Sequence, residues 1–182
     1  MSDKINQLII NAQNGDYQSF HQLVEIHDEK IMILAYQLMK NKQDAEDLYQ
    51  EAFVKAFKNI TSFRFESSFY TWLYRITVNT GLNMKRKISR MYTQEPIDDF
   101  DPIDNISESS NTDKSIEINE AVKSAAEGLP EKQRVAFILK YLQGMKIRDV
   151  SAIMGIGEGT VKKYLFRAME KMRKQLKDYR YV

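Results

Sequence analysis

The sequence predicts an all-α protein of two small helical domains joined by a flexible acidic linker, with a helix-turn-helix in the C-terminal domain. Three observations support this fold class. Apolar residues recur every three or four positions on both sides of the middle of the chain. The middle itself, residues 92–118, keeps no such period, and no stretch alternates apolar and polar residues as a strand does. The predicted domains are therefore residues 1–91 and 119–182.

The composition excludes several classes of site. The 182 residues include no cysteine, which rules out disulfides and thiolate metal sites, and neither His21 nor His27 stands in a metal-ligand pattern. We expect no metal and no cofactor. No apolar run approaches the roughly 18 residues of a membrane span, and the N-terminus lacks a signal pattern. These features predict a cytoplasmic protein without membrane insertion.

The helices of the first domain are predicted from caps and apolar spacing. Asp16 is a plausible N-cap for a helix whose apolar positions run from Phe20 to Leu38. Asn41 with Asp44 offers a second start of the capping-box type. The following helix repeats apolar side chains from Ala45 to Ile60.

The linker separates blocks of different charge. Residues 92–120 carry nine acidic side chains and one basic one, Lys114, for a net charge of −8, whereas residues 121–182 carry a net charge of +8. Segments so rich in charge and poor in apolar residues do not bury enough surface to fold. A basic C-terminal domain indicates a polyanionic partner.

A glycine-rich corner, residues 155–159, lies in the second domain, after a helix predicted to close at Gly144. A phosphate-binding glycine loop follows a strand, but the preceding residues have helical spacing and no Lys-Ser or Lys-Thr pair is present. A turn between two helices fits better. Gly155 would take the left-handed conformation that ends a helix, Ile156 would fill the space between the helices, and Gly157 would be the next N-cap.

The helix after this corner is amphipathic. Its predicted buried stripe is Val161, Leu165, Ala168, Met169, Met172 and Leu176, and another face carries Lys163, Arg167, Lys171 and Lys174. A basic face after a tight turn suits a helix that enters the DNA major groove. An ordinary solvated face of a bundle helix would look the same, so the residues alone leave both interpretations open.

Three stretches resemble conserved parts of bacterial RNA polymerase sigma factors. DAEDLYQEAFVKAF (44–57) and SFYTWLYRITVN (68–79) are similar to sigma region 2, and residues 129–176 are similar to region 4. Two regions with a linker match the compact extracytoplasmic-function (ECF) group. The resemblance implies a non-enzymatic subunit, without a small-molecule substrate, that binds core RNA polymerase, directs it to the minus-ten and minus-thirty-five promoter elements and promotes DNA melting. It also implies an anti-sigma factor as a partner.

The resemblance assigns three sets of site residues. An acidic helix face that meets a basic coiled coil of the polymerase comprises Asp47, Gln50 and Glu51. The second set would bind the minus-ten element, since aromatic and basic residues hold unstacked bases and phosphates. The base would be held by the loop Arg64, Phe65, Glu66 and Ser67 with Asn79, and the phosphates by Lys85, Arg86, Lys87 and Arg90. The third set, which would bind the minus-thirty-five element, comprises Thr160, Lys162, Lys163 and Arg167.

This chain departs from the family pattern at four positions. Phe65 stands where many relatives have Gly, Tyr164 and Met169 where Arg is frequent, and Gly157 where Ser is common. These departures affect the shape of the base pocket and the DNA readout. The acidic linker is expected either to enter the positively charged channels of the polymerase or to act as a plain tether.

Two function classes other than a sigma factor are alternatives for this sequence. A stand-alone helix-turn-helix transcription regulator would need a ligand pocket or a phosphoacceptor Asp at a strand end, and the sequence offers neither. A helical adaptor without DNA contact would not need the basic residues Lys163 and Arg167.

Overall fold

The structure, a computed structural model, describes residues 2–39, 41–93, 121–122 and 124–176. These residues contain no strand, which confirms the all-α prediction. The linker prediction lies outside the described residues, except that the fourth helix continues through residues 92 and 93. The helices include α1 (Ser2–Gln13), α2 (Tyr17–Leu38), α3 (Lys42–Asn59), α4 (Phe69–Thr93), α5 (Glu131–Phe137), α6 (Ile147–Met154) and α7 (Glu158–Gln175).

The two predicted N-caps are confirmed. The Asp16 carboxylate accepts a hydrogen bond from the backbone N–H of Gln18 at 3.0 Å. The Asn41 side-chain oxygen accepts one from the backbone N–H of Asp44 at 2.8 Å. Each side chain thereby supplies a partner to a backbone N–H that has none within the first turn of its helix. The sequence analysis did not predict α1.

The glycine corner is the turn of a helix-turn-helix. Gly155 has φ +64, and its N–H donates to the carbonyl of Ser151 at the end of α6. Ser151 then donates its hydroxyl to the carbonyl of Ile156, which fastens the turn. Ile156 packs against the core, and Gly157 is the N-cap of α7. Because α6 leads into this corner, the phosphate-loop interpretation is wrong.

The buried side chains of both halves of the chain meet in one cluster. Helices α2, α3 and α4 contribute Leu34, Leu48 and Leu73, and the second half contributes Leu139 and Val150. A smaller cluster joins α5 to α7. Of the predicted stripe of α7, four residues are buried (Val161, Leu165, Ala168 and Met172) and Leu176, just after the helix, is half-buried. Met169 is 38% exposed; that prediction was wrong, because Met169 lies at the edge of the arc that faces the core.

A π-helical turn, Ile138–Leu142, follows α5. Gln143 caps this turn, and the next residue, Gly144, has φ +67. Because left-handed backbone is easiest for glycine, this residue ends the helical segment near the predicted position.

Candidate functional site

The outer face of α3 carries the first predicted set. Asp47, Gln50 and Glu51 are all exposed. Gln50 and Glu51 lie three and four positions after Asp47, so the three residues share one side of the helix. Glu51 Oε1 lies 2.7 Å from Lys55 Nζ, and Gln43 donates to Asp47 Oδ1 at 3.3 Å. Both contacts are at the surface, where such pairs contribute little and exchange readily for an external cation.

The loop between α3 and α4 is held by aromatic rings that pack edge to face. Phe65 has φ +59, the one positive φ of a non-glycine residue in the described part of the chain. Its ring meets that of Phe63 edge-on with centroids 5.0 Å apart, and Phe63 packs on Trp72 at 5.4 Å. The left-handed conformation costs a side-chain-bearing residue about 1–2 kcal/mol. The ring contacts offset that cost at a position where glycine would carry none.

A cleft of about 420 Å³ opens beside this loop. Three of the predicted base-binding residues line it, whereas Phe65 and Asn79 are not among its lining residues. Its walls offer hydroxyl, carboxylate and guanidinium groups next to an indole ring, a mixture that suits an unstacked base and a phosphate. The lining comprises Ser62, Phe63, Arg64, Glu66, Ser67, Thr71, Trp72, Arg75 and Ala152.

A second cavity, of about 360 Å³, lies toward the C-terminal end of α4. Lys85, Arg86 and Arg90 line it, together with Glu131 at the start of α5. Lys87 is exposed on the same helix but is not one of the lining residues. Guanidinium and ammonium groups are the side-chain groups that bind phosphates in proteins.

The third predicted set lies on α7. Thr160, Lys162, Lys163 and Arg167 are all exposed, and the opposite side of the helix is buried in the core. Tyr164 is half-buried and packs on the core. The predicted departure from the family pattern at this position therefore coincides with a packing role for the side chain.

Comparisons with known proteins identify the family. The family model "Sigma-70 region 2" matches residues 23–91, and "Sigma-70, region 4" matches residues 119–172. The ECF RNA polymerase sigma factor SigW of Bacillus subtilis is 33% identical, over 98% of this chain and 100% of its own. The chain belongs to the ECF sigma factors. The ECF RNA polymerase sigma-E factor of Escherichia coli K12 is 36% identical, over 93% of this chain and 94% of its own.

Solved sigma factor structures share the fold. The sigma factor RpoE of Bartonella quintana, in complex with the anti-sigma factor NepR, aligns with a TM-score of 0.69 at 26% identity, over 88% of this chain and 98% of its own. CnrH in complex with the cytosolic domain of CnrY aligns with a TM-score of 0.70 at 22% identity, over 98% of this chain and 99% of its own. The predicted architecture of two helical domains is confirmed.

The sigma factor prediction is likewise confirmed: the protein is a transcription initiation factor that binds core RNA polymerase and promoter DNA. Sigma factors are not enzymes in the usual sense. Within the described ranges, no helix combines the length and apolarity needed to cross a membrane. The same residues include no group of His, Asp and Glu side chains that could hold a metal ion.

Sequence reasoning missed three residues on these surfaces. Val54 is 49% exposed in the middle of the polar face of α3, and Phe166 is 65% exposed between Lys163 and Arg167 on α7. Arg75 lines the cleft one turn after Thr71. Val54 and Phe166 each lie three or four positions from a predicted site residue, so a search for apolar residues on the polar faces would have found both.

Proposed function

We propose that three separate surfaces divide the work of this sigma factor. The outer face of α3 binds core polymerase, the loop, cleft and basic cavity along α4 hold the melted minus-ten strand, and α7 reads the minus-thirty-five element. Residues 1–91 and 119–182 would be the corresponding domains. The observation that carries this proposal is that residues of all three predicted sets are exposed while the opposite helix faces are buried.

The minus-ten assignment rests on the order of features along α4. The cleft with Arg64, Glu66 and Ser67 lies near the start of α4, and the cavity with Lys85 and Arg86 lies near its end. A base extracted from the duplex would enter the cleft, where hydrogen-bonding groups and the Trp72 ring meet it. The cations would hold the phosphates of the same strand.

The minus-thirty-five assignment rests on α7. The turn at Gly155 fixes α6 against the start of α7, and the exposed Lys163 and Arg167 project from the side opposite the core. A recognition helix placed in the major groove contacts base edges from such a face, and its cations add the salt-dependent attraction to phosphates.

The polymerase assignment rests on the charge of the α3 face. Asp47 and Glu51 give that face an acidic character, and Gln50 adds hydrogen bonding. A basic coiled coil of the polymerase complements it, since opposite surface charges speed encounter and fix the register of docking. Because a sigma factor acts on polymerase and chromosomal DNA, we place the protein in the cytoplasm.

An anti-sigma factor is the proposed regulatory partner. A groove of about 500 Å³ between α2 and the second half of the chain offers apolar side chains such as Ile33, Tyr36 and Leu142. RpoE of Bartonella quintana, which shares the fold, was solved with an anti-sigma factor bound.

Transcription with purified core polymerase tests the proposal. Fragmented genomic DNA serves as template, and sequencing of transcript starts identifies the promoters. Asp47→Lys should reduce binding to core polymerase, and Lys163→Glu with Arg167→Glu should abolish promoter-specific starts while leaving core binding intact. Asp3→Lys, a charge reversal on exposed α1, is the matched control. Specific starts that survive both sets of substitutions would refute the assignment of surfaces.

A further inference from the structure

The end of helix α1 contacts the loop that carries the proposed base pocket. Gln13, the last residue of α1, donates from Nε2 to two backbone carbonyls, that of Ile60 at 2.9 Å and that of Phe63 at 2.8 Å. These acceptors lie 47 and 50 positions further along the chain. A primary amide nitrogen carries two hydrogens, one for each carbonyl. Gln13 thus joins the first helix to the start of the loop.

The core fixes the position from which Gln13 projects. Leu8, Ile9 and Ala12 of α1 are buried in the main cluster. Directly after Gln13, the chain turns at Gly15, which has φ +92 and donates its N–H to the carbonyl of Ala12 at 3.1 Å. A loop that moved away from α1 would therefore lose both hydrogen bonds to Gln13, because the amide has no mobile segment on which to follow it.

The two carbonyls define how the chain enters the loop. The Ile60 carbonyl also accepts the N–H of Phe63 at 3.1 Å, which closes the 3₁₀-helical turn that follows α3. The Phe63 carbonyl belongs to the peptide group that links Phe63 to Arg64. Because a peptide group is planar, a fixed carbonyl also fixes the direction in which the chain leaves toward Arg64. The amide of Gln13 therefore sets the entry to the part of the loop that lines the cleft.

Phe63 is the residue on which the rest of the loop rests. Its side chain is buried and packs on Trp72, and the ring of Phe65 lies against it. Arg64, Phe65 and Glu66 are all exposed, so their positions depend on how Phe63 is held. The rings hold the side chain of Phe63, and Gln13 holds its backbone.

We propose that Gln13 is a positioning residue for base selection at the minus-ten element. Its amide holds the Phe63 peptide so that Arg64 and Glu66 meet the extracted base in one fixed arrangement. This inference rests on the proposed function of the cleft. Hydrogen bonds distinguish one base from another only when donors and acceptors are placed to within about 0.5 Å. Without the amide of Gln13, the loop would present the same side chains in several arrangements and accept more than one base.

Two substitutions separate hydrogen bonding from side-chain volume. Gln13→Met keeps the length of the side chain and removes both donors. Gln13→Lys replaces the amide by an ammonium group, which has enough hydrogens to donate to both carbonyls. Gln7→Met and Gln7→Lys make the same changes at an exposed glutamine of the same helix and are the matched controls. Circular dichroism confirms that each variant keeps its helices.

The measurement is base preference at each position of the minus-ten element. Each variant is assembled with core polymerase and given a pool of templates in which this element is randomised and a barcode is transcribed. Gln13→Met should reduce the preference at one position by about fivefold or more. Gln13→Lys should restore most of it, and both Gln7 variants should match the wild type. A loss of folded protein would lower transcription from all templates alike and leave the preferences unchanged.

Two results would overturn the positioning role. The first is a wild-type preference at every position in Gln13→Met, and the second is an equal loss in Gln13→Met and Gln13→Lys, which would show that the donors are irrelevant. Arg64→Ala, a change within the proposed pocket itself, separates this inference from the proposed function. If Arg64→Ala changes a preference and Gln13→Met does not, the pocket stands and the role of Gln13 fails. If neither changes any preference, the assignment of the cleft fails as well.

Discussion

Tyr74 of region 2 and Gln143 of region 4 are joined by a hydrogen bond of 2.8 Å where the two halves of the chain meet. Tyr74 is fully buried, and its burial, with the adjacent Tyr70 hydroxyl, raises the pKa of the Tyr74 phenol far above the ordinary value. The hydroxyl consequently stays protonated, and able to donate, above the pH at which an ordinary tyrosine ionises. A single buried side chain thus links residues 69 positions apart in the chain.

Removing this hydroxyl should lower stability. Tyr74→Phe keeps the ring but removes the donor of the partly buried hydrogen bond to Gln143 Oε1, which costs about 1 kcal/mol. Urea denaturation followed by circular dichroism measures the change. Tyr141→Phe removes the hydroxyl of a half-exposed tyrosine and should leave the urea midpoint unchanged; equal losses in the two variants would refute the role of the hydrogen bond between Tyr74 and Gln143.

The local elements of this fold were predictable because their signals are local. Asp16, Asn41 and Gly155 announce helix boundaries through capping chemistry that depends on a few neighbouring residues. The docking of α6 on α4 was not predictable in this way. It depends on contacts such as Tyr74 with Gln143, which join residues far apart in sequence and leave no periodic trace.

The candidate site shows the same division. The resemblance placed Arg64, Glu66 and Ser67 at a base pocket, and the structure does bring them to one cleft. It gave no indication that Phe65 would turn toward Phe63 instead, because that depends on ring packing at a left-handed backbone position. Ala152 could not be foreseen as part of the wall without the docking of region 4.

The buried His27 should make stability depend on pH. The His27 side chain is enclosed by the rings of Phe69 and Tyr70, and neither ring nitrogen has a partner. Burial, and next the charge of Lys30, lowers its pKa from 6.5 to about 4. As the pH falls, the unfolded chain therefore takes up a proton before the folded chain does. The stability that the neutral His27 contributes is complete above pH 6.5 and is lost as the pH falls toward about 4. The loss amounts to about 3 kcal/mol at most.

His27→Phe isolates this contribution. The variant cannot gain the proton and removes two unpartnered nitrogens, so it should lose less stability than the wild type between neutral pH and pH 4 and should be no less stable at pH 7. Urea denaturation across that range gives the difference. His21→Gln, at the exposed histidine, should follow the wild-type curve. Parallel curves for His27→Phe and wild type would contradict the assignment.

Two glycines of the glycine-rich corner should differ in the sign of the stability change when each is replaced by alanine. Gly155 has φ +64, whereas Gly159 lies inside α7, and a methyl group on either would meet nothing within 4 Å. Gly155→Ala should destabilise by about 1–2 kcal/mol through backbone strain alone. Gly159→Ala should stabilise by up to about 1 kcal/mol through helix propensity. Thermal denaturation measures the stability of both variants. A loss of stability in both would mean that steric space, and not backbone conformation, determines the effect of the added methyl group.

Val54 should be an apolar contact within the polymerase surface. It lies one turn beyond Gln50 and Glu51 and is half exposed on a face that is otherwise polar. An apolar group in the centre of an interface is desolvated on binding, so Val54→Asp should weaken binding to core polymerase by about tenfold or more. Competition against a labelled wild-type sigma factor measures this. Ile10→Asp, at an exposed apolar residue of α1, is the control; unchanged competition by Val54→Asp would limit the surface to its polar residues.

Phe166 should add sequence preference to the basic face of α7. Its ring is 65% exposed beside Lys163 and Arg167, and an apolar side chain in the major groove contacts the methyl group of thymine. Phe166→Ala should therefore weaken binding at promoters by about 1–3 kcal/mol and flatten the preference for thymine at one position.

Lys163→Gln should act differently from Phe166→Ala. Losing a phosphate contact weakens all sequences alike and lowers the slope of log affinity against log salt by about one. Selection of bound duplexes from a randomised pool, repeated at several salt concentrations, separates the two effects. Identical selected sequences from Phe166→Ala and the wild type would show that the ring reads no base, and that the preference of α7 lies in its polar side chains.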